Sequence, residues 1–386
     1  MTHTKIVQRK KNHLPENLKN LHPILQQVYA NRGVTNMDDL EKGLSGLLPY
    51  NGMLNIDKAI TLLYQVMIEN KKILIVGDFD ADGATSTAVA VSALKSFGVK
   101  NVEFLVPNRF EYGYGLTPEI VKVAVKLKPD LLITVDNGIS SIAGVEEAHR
   151  HNIKVLITDH HLPGQAIPDA EVIINPNQKG CAFSSKCIAG VGVIFYVMLA
   201  LRSYLREKNW FLEKAVAEPN MADLLDLVAL GTIADVVSLD RNNRILVHQG
   251  LMRIRQGNCR PGIKALLTIA NREQKRLAAS DLAFAIAPRL NAAGRLDDMT
   301  LGIQCLLSND FANALDIAKI LDELNQERRY IEADMQHQAM QELNKLHLEN
   351  KKLPAGLCLF DENWHQGVIG ILAGRIKDRY HRPVIV

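Results

Sequence analysis

Three short stretches concentrate the side chains that could do chemistry: Asp78-Phe79-Asp80-Ala81-Asp82, Asp136-Asn137-Gly138 and Asp159-His160-His161. Asp78, Asp80 and Asp82 alternate, so an extended backbone would put all three carboxylates on one side. Their mutual repulsion would cost stability unless cations neutralise it. Carboxylates joined by imidazole suit a divalent transition ion such as Mn2+, with Mg2+ where oxygen ligands dominate. Zinc is disfavoured because no cysteine falls in these stretches. So many carboxylates exceed the needs of one ion. Two ions about 3.5–4 Å apart, bridged by a shared Asp, would use them and would support phosphodiester hydrolysis. A fourth candidate ligand is Asp235, the only acid in the apolar surroundings from Leu227 to Leu239.

Taken singly, each stretch has a plain structural role. One Asp could cap a helix with Thr85 and Ser86 in its first turn, Asp136-Asn137-Gly138 reads as a turn, and paired histidines often sit on surfaces. Their positions argue for more. Apolar, β-branched runs at Lys72–Gly77, Val102–Val106, Leu131–Val135, Lys154–Thr158 and Glu171–Ile174 alternate with helix-period stretches at Ala84–Phe97, Pro118–Val125 and Ser141–His149. Continuous hydrophobic strands separated by helices predict an α/β domain, a doubly wound parallel sheet covered on both faces. The three clusters follow the first, third and fourth of these strands, and open parallel sheets hold their ligands outside the carboxyl ends of the strands.

Helical patterns continue at Gly190–Tyr204, Met221–Ala234, Asn243–Arg255 and Gly262–Asn271. Ser308–Leu348 lacks Pro and Gly and reads as a segment holding one helix, about 38 helical residues spanning about 60 Å. Two helices with a polar break near Asn325–Arg328 are the alternative. Beyond Pro354, a strand at Leu357–Phe360, a helix at Gly367–Asp378 and a strand at Pro383–Val386 begin a second α/β unit. The expected division is a helical lead-in over 1–50, the sheet domain with a helical extension over 51–306, a connecting helix over 307–350 and the start of the second unit over 351–386. So short a final unit reads as the front part of a longer protein.

Composition narrows the class. Of 386 residues, 47% are hydrophobic and 23% charged, enough to bury a large core. Lys+Arg 45 against Asp+Glu 42 gives +3, so any nucleic acid must be held by a local patch rather than by a polycation. Aromatic residues at 5% argue against a stacking platform. No run of 18 apolar residues exists, and the basic N-terminus leads into no apolar signal core. A non-membrane, cytoplasmic protein is expected, its five cysteines reduced. Cys181 and Cys187, with five residues between them, fit packing thiols rather than a CxxC motif. Arg9-Lys10-Lys11 reads as a solvated face, with DNA contact as the alternative.

The segments ILIVGDFDADGATSTA, PNRFEYGYGLTPE, LLITVDNGISS, VLITDHHLPG, IINPNQ, ALGTIADVVSLDRNNRILV, PRLNAAGRLDD and WHQGVIGILAGRI, taken in order, resemble the RecJ-type single-strand-specific exonucleases of the DHH phosphoesterase superfamily. The resemblance implies a centre of two Mn2+ or Mg2+ ions. Asp80 and Asp136 would hold one ion and Asp82, Asp136, His160 and Asp235 the other. His161 would face the scissile phosphate, with Asp159 orienting an imidazole. Many family members carry a His four residues before the first ligand Asp, a place held here by Val76, so Asp78 or water would complete that ion's shell.

Arg109, Arg289, Asn291 and Arg295 offer donors suited to phosphate oxygens, and Gly294 would allow close backbone approach. Arg375, in a segment resembling the start of the family's DHHA1 domain, could bind a 5′ phosphate or the strand backbone. Tyr112 and Tyr114 are candidates for base stacking or for packing, and His365 is a further site candidate. The resemblance further implies 5′→3′ digestion of single-stranded DNA in recombination and repair, by a monomer working beside a helicase and a single-strand-binding protein. A DHH hydrolase of short oligonucleotides, cyclic dinucleotides or pyrophosphate is the alternative, and a non-enzymatic scaffold is a third reading that the intact carboxylates oppose.

Overall fold

The computed structural model describes Val7 and residues 14–345 and 354–386 of the chain. The Arg9-Lys10-Lys11 run lies outside the described residues, as do positions 346–348 of the expected long helix. Five strands form one parallel sheet: β1 (Ile73–Gly77), β2 (Val102–Leu105), β3 (Leu131–Val135), β4 (Lys154–Thr158) and β5 (Val172–Ile174), in the order β2-β1-β3-β4-β5. Both faces are buried, which is why the strands read as continuous apolar runs. Ile73 and Ile75 enter one core, and Leu74 and Val76 enter the other. Chain order reverses between β1 and β3, so a crevice opens above that switch point.

The larger core is roofed by α1 (Ala81–Ser96), α2 (Gly190–Glu207) and α3 (Leu225–Ala234). Helix α1 is so deeply set that Thr85, Ser86 and Thr87 are fully buried beside its alanines. It starts three residues before the Ala84 expected from periodicity, because the Asp80 side chain accepts the Gly83 N–H and caps it. The expectation of three carboxylates on one side of an extended strand therefore fails: Asp80 is the cap, and Asp82 lies on the first helical turn.

Periodicity assigns no element to residues 279–296, and here the chain forms a helical turn, a π-helical turn at Leu282–Ile286, and α4 (Ala287–Leu296) with Pro288 in its first turn. The long helix α5 (Phe311–Lys345) is unbroken. Asn325, the expected break point, is 1% exposed and accepts a hydrogen bond from Arg328 within the helix. Helix α5 packs first on the larger core and then, through Met335, Ala339 and Leu343, on a small third core. That core includes α6 (Ile369–Tyr380) and lies beside the parallel pair β6 (Leu357–Cys358) and β7 (Val384–Ile385). Among the described residues no helix is long and apolar enough to cross a membrane. All five cysteines are free thiols.

Candidate metal centre

The loops after β1, β3 and β4 and the end of α3 meet above the switch point. Ligand atoms of Asp78, Asp80 and Asp136 lie within 4.8 Å of one another; so do those of Asp82, His160 and Asp235, and those of Asp136, His160 and His161. Asp136 thus stands between two sets. Its backbone is held at φ 63°, an uncommon conformation for a residue with a Cβ. His160 Nε2 faces three carboxylates, at 3.1 Å from Asp136 Oδ1, 3.6 Å from Asp235 Oδ2 and 3.9 Å from Asp82 Oδ2. Among the described residues, Asp136 Oδ1 and His160 Nε2 are both buried without a hydrogen-bond partner. Native proteins rarely strand such atoms, and a divalent cation would satisfy both. The donors are oxygens and imidazole with no thiolate, a set that fits Mn2+ or Mg2+.

The electrostatics agree with that fit. Burial, with Asp80 nearby, pushes the Asp78 carboxyl up to about 7. Asp235 is pushed to about 7 by the same two causes. Burial and neighbouring carboxylates raise Asp82 and Asp136 well above the ordinary range. The protein has thus gathered anions where anions are costly, a penalty that bound cations would reverse. Burial and the neighbouring His161 lower His160 to about 4, so its ring is neutral and can offer a lone pair.

His161 behaves oppositely. Its Nδ1 lies 2.7 Å from Asp159 Oδ1, and that hydrogen bond raises it to about 8, leaving a cationic ring at neutral pH. Its Nε2 is 3.4 Å from the Tyr114 hydroxyl. Asp159 also accepts the N–H groups of Ile139, His160 and His161, so it fixes the whole turn after β4. Asp82 has a similar second duty: its two oxygens accept the N–H groups of Gly190 and Val191 at 2.7 and 3.0 Å and cap α2. A carboxylate has lone pairs enough for both cap and cation.

The remaining candidates divide. Arg109 stacks its guanidinium 4.0 Å over the Phe79 ring, and burial lowers its basicity despite Asp78 and Asp80. Asn291 accepts the Ala81 N–H at 2.8 Å, next to Asp80 and Asp82. Arg295 donates to the Gly367 carbonyl. Arg375 pairs with Glu332 at 2.9 Å while staying 59% exposed. Arg289, expected to meet phosphate, instead pairs with Asp322 at 2.8 Å and donates to the Ala285 carbonyl. Gly294 does permit a close backbone approach, but to the Phe79 carbonyl. Tyr112 packs on the second core, whereas Tyr114 is 52% exposed beside His161. His365 meets the Phe110 ring edge-on, and Val76 is fully buried in the sheet, leaving Asp78 beside Asp80 and Asp136.

Sequence reading missed Gly190, whose bare Cα lets α2 approach Asp136, and the arginines of α5, Arg328 and Arg329. The Ala-Gly-Val-Gly run could have signalled the first; the second pair looked like ordinary helix surface.

Residues 72–232 match the DHH family, N-terminal domain. The chain is 58% identical over 372 residues to the single-stranded-DNA-specific exonuclease RecJ of Dickeya dadantii, covering 96% of this chain and 64% of that one. It is 56% identical over 365 residues to the RecJ of Escherichia coli, covering 95% and 63%. It therefore spans somewhat less than two thirds of these curated relatives. A crystal structure of exonuclease RecJ bound to manganese superposes with TM-score 0.73 at 34% identity, over 87% of this chain and 80% of that one. RecJ from Thermus thermophilus in complex with Mn2+ gives 0.75 at 32% identity, over 92% and 49%. With the ordered motifs, the sheet topology and these similarities in agreement, the chain belongs to the RecJ family of DHH-domain proteins.

Proposed function

We propose that the chain carries the catalytic centre of a divalent-metal-dependent exonuclease that digests single-stranded DNA from the 5′ end. The observation that carries this reading is the pair of buried, partnerless ligand atoms, Asp136 Oδ1 and His160 Nε2, among four more carboxylates at one sheet switch point. Asp78, Asp80 and Asp136 would hold one Mn2+ or Mg2+, and Asp82, His160 and Asp235, with Asp136 shared, the other. Bound ions would supply an activated water and neutralise charge on the phosphodiester. Cationic His161, steadied by Asp159, donates from Nε2 toward a phosphate oxygen. Arg109, Asn291, Arg295 and Arg375 offer further donors, and no side-chain nucleophile is required.

In this reading the metal-binding unit covers 51–306, after a lead-in over 1–50; 307–350 connects it to a strand-contacting unit that begins at 351–386. The protein works as a cytoplasmic monomer in recombination and repair, on strands exposed by a helicase and coated by a single-strand-binding protein. Support comes from relatives named as single-stranded-DNA-specific exonucleases and from RecJ structures holding manganese.

The test is digestion of 5′- and 3′-labelled single strands with Mn2+, beside Asp136→Ala. Early release of the 5′ label, absent in the variant, is expected. Digestion unaffected by Asp136→Ala, or release of the 3′ label first, would refute the reading.

A further inference from the structure

A cavity of about 570 Å3 lies among the π-helical turn, α4, α5 and α6, walled by Arg295, Arg328, Arg329 and Arg375 against one acid, Glu332. It adjoins the carboxylate cluster, because its wall residue Asn291 accepts the Ala81 N–H beside Asp80 and Asp82. At its rim stands Phe284, the one aromatic residue of the lining, 76% exposed. The backbone accounts for that exposure. Leu282 and Ile286, at the two ends of the π-helical turn, are fully buried, and the extra residue of the turn leaves Phe284 on the opposite side. Such turns inside helices recur at functional sites. A bare phenyl ring beside several guanidiniums matches one ligand chemistry: planar bases on a polyanionic backbone.

We propose that the Phe284 ring stacks on a base of single-stranded DNA while Arg329 and Arg375 hold the adjoining phosphates, Arg328 being 12% exposed and tied to Glu332 and Asn325 within α5. The inference rests on the function proposed above and assigns a contact to its substrate. Arginine donors set where the backbone runs, and a ring that accepts any base adds affinity without choosing sequence.

The test measures binding of a fluorescein-labelled single strand to the chain in EDTA, for the wild type, Phe284→Ala and Phe284→Trp, on ordinary and abasic strands. Phe284→Ala is expected to weaken binding to the ordinary strand about tenfold, and Phe284→Trp to restore it. On the abasic strand the three proteins should bind alike, a result that a merely structural role would not give. Equal affinity of wild type and Phe284→Ala for the ordinary strand overturns the proposal, as does an equal loss on the abasic strand or no binding by the wild type. Strand binding of the expected pattern without any Mn2+-dependent digestion would sink the exonuclease reading and leave the stacking contact standing.

Discussion

Gly190 stands so close to Asp136 that a Cβ on it would lie 2.5 Å from Asp136 Oδ1 and 2.7 Å from the carboxyl carbon. The first turn of α2 therefore presses the central carboxylate from one side, while the Gly190 N–H is itself held by Asp82. One glycine thus bears on two acids, Asp136 after β3 and Asp82 in the first turn of α1.

Gly190→Ala should consequently disturb the centre more than a single methyl group suggests. Overpacking of this kind costs about 1–3 kcal/mol, and displacing a ligand's support weakens metal affinity by about 10–100-fold. Melting curves with and without Mn2+, and calorimetric titration of the ion, measure both. Wild-type Mn2+ affinity in Gly190→Ala would show that the close approach has no bearing on the ligand.

The ion-free centre should respond to pH with a definite sign. Asp78 and Asp235, at about 7 against an ordinary 3.8, and His161, at about 8 against 6.5, all have folded values above their unfolded ones. Each contributes stability at low pH that is lost as pH rises through its folded value. His160, at about 4 against 6.5, acts in the opposite sense, but its contribution is complete above about 6.5. Between about pH 6.5 and 8 the ion-free protein should lose stability, and Mn2+ should restore more of it the higher the pH. Asp136→Asn should raise the ion-free melting temperature at pH 8 and abolish most of the gain from Mn2+. An ion-free melting temperature that climbs across this window would contradict the arrangement.

Much of the site was legible because parallel sheets present their strand ends to one crevice. The apolar runs before Asp78, Asp136 and Asp159 are neighbouring strands of one parallel sheet at its switch point, so the three clusters must converge. Two features resisted. Period-2 spacing suggested an extended run through Asp82, but the Asp80 cap turns the chain into α1, a tertiary choice stabilised by burying the helix. Arg289 and Arg375 looked equivalent in the sequence; only packing reveals that one faces Asp322 and the other remains open to solvent.

Asp159 should act through His161. Asp159→Asn replaces the carboxylate whose hydrogen bond, helped by its charge, raises His161, so the imidazolium should lose its proton at lower pH. If the cationic ring contacts phosphate, the alkaline limb of the pH-rate profile moves down, with activity about 10–100-fold lower at neutral pH. A lower rate with an unmoved alkaline limb would assign Asp159 only to the turn that it ties together through Ile139, His160 and His161.

The two arginines supply the sharpest contrast. Arg289 and its partner Asp322 are 13% and 20% exposed, so Arg289→Ala leaves a partly buried carboxylate with only the Gln326 side chain, among the described residues, to donate to it and should cost stability, on the order of 1–3 kcal/mol. Strand affinity per folded molecule should change little. Arg375 is 59% exposed on a cavity wall that includes Arg295, Arg328 and Arg329, and its partner Glu332 also pairs with Arg328, so Arg375 is open to a phosphate and its loss leaves Glu332 partnered. Arg375→Ala should leave the melting temperature nearly unchanged, weaken binding to single strands of any sequence, and reduce the slope of log affinity against log salt by about one. Strand titrations at several salt concentrations, beside melting curves, separate the two. The assignment fails if Arg289→Ala changes the salt slope and Arg375→Ala does not, because the phosphate path would then run along the wrong face of α5.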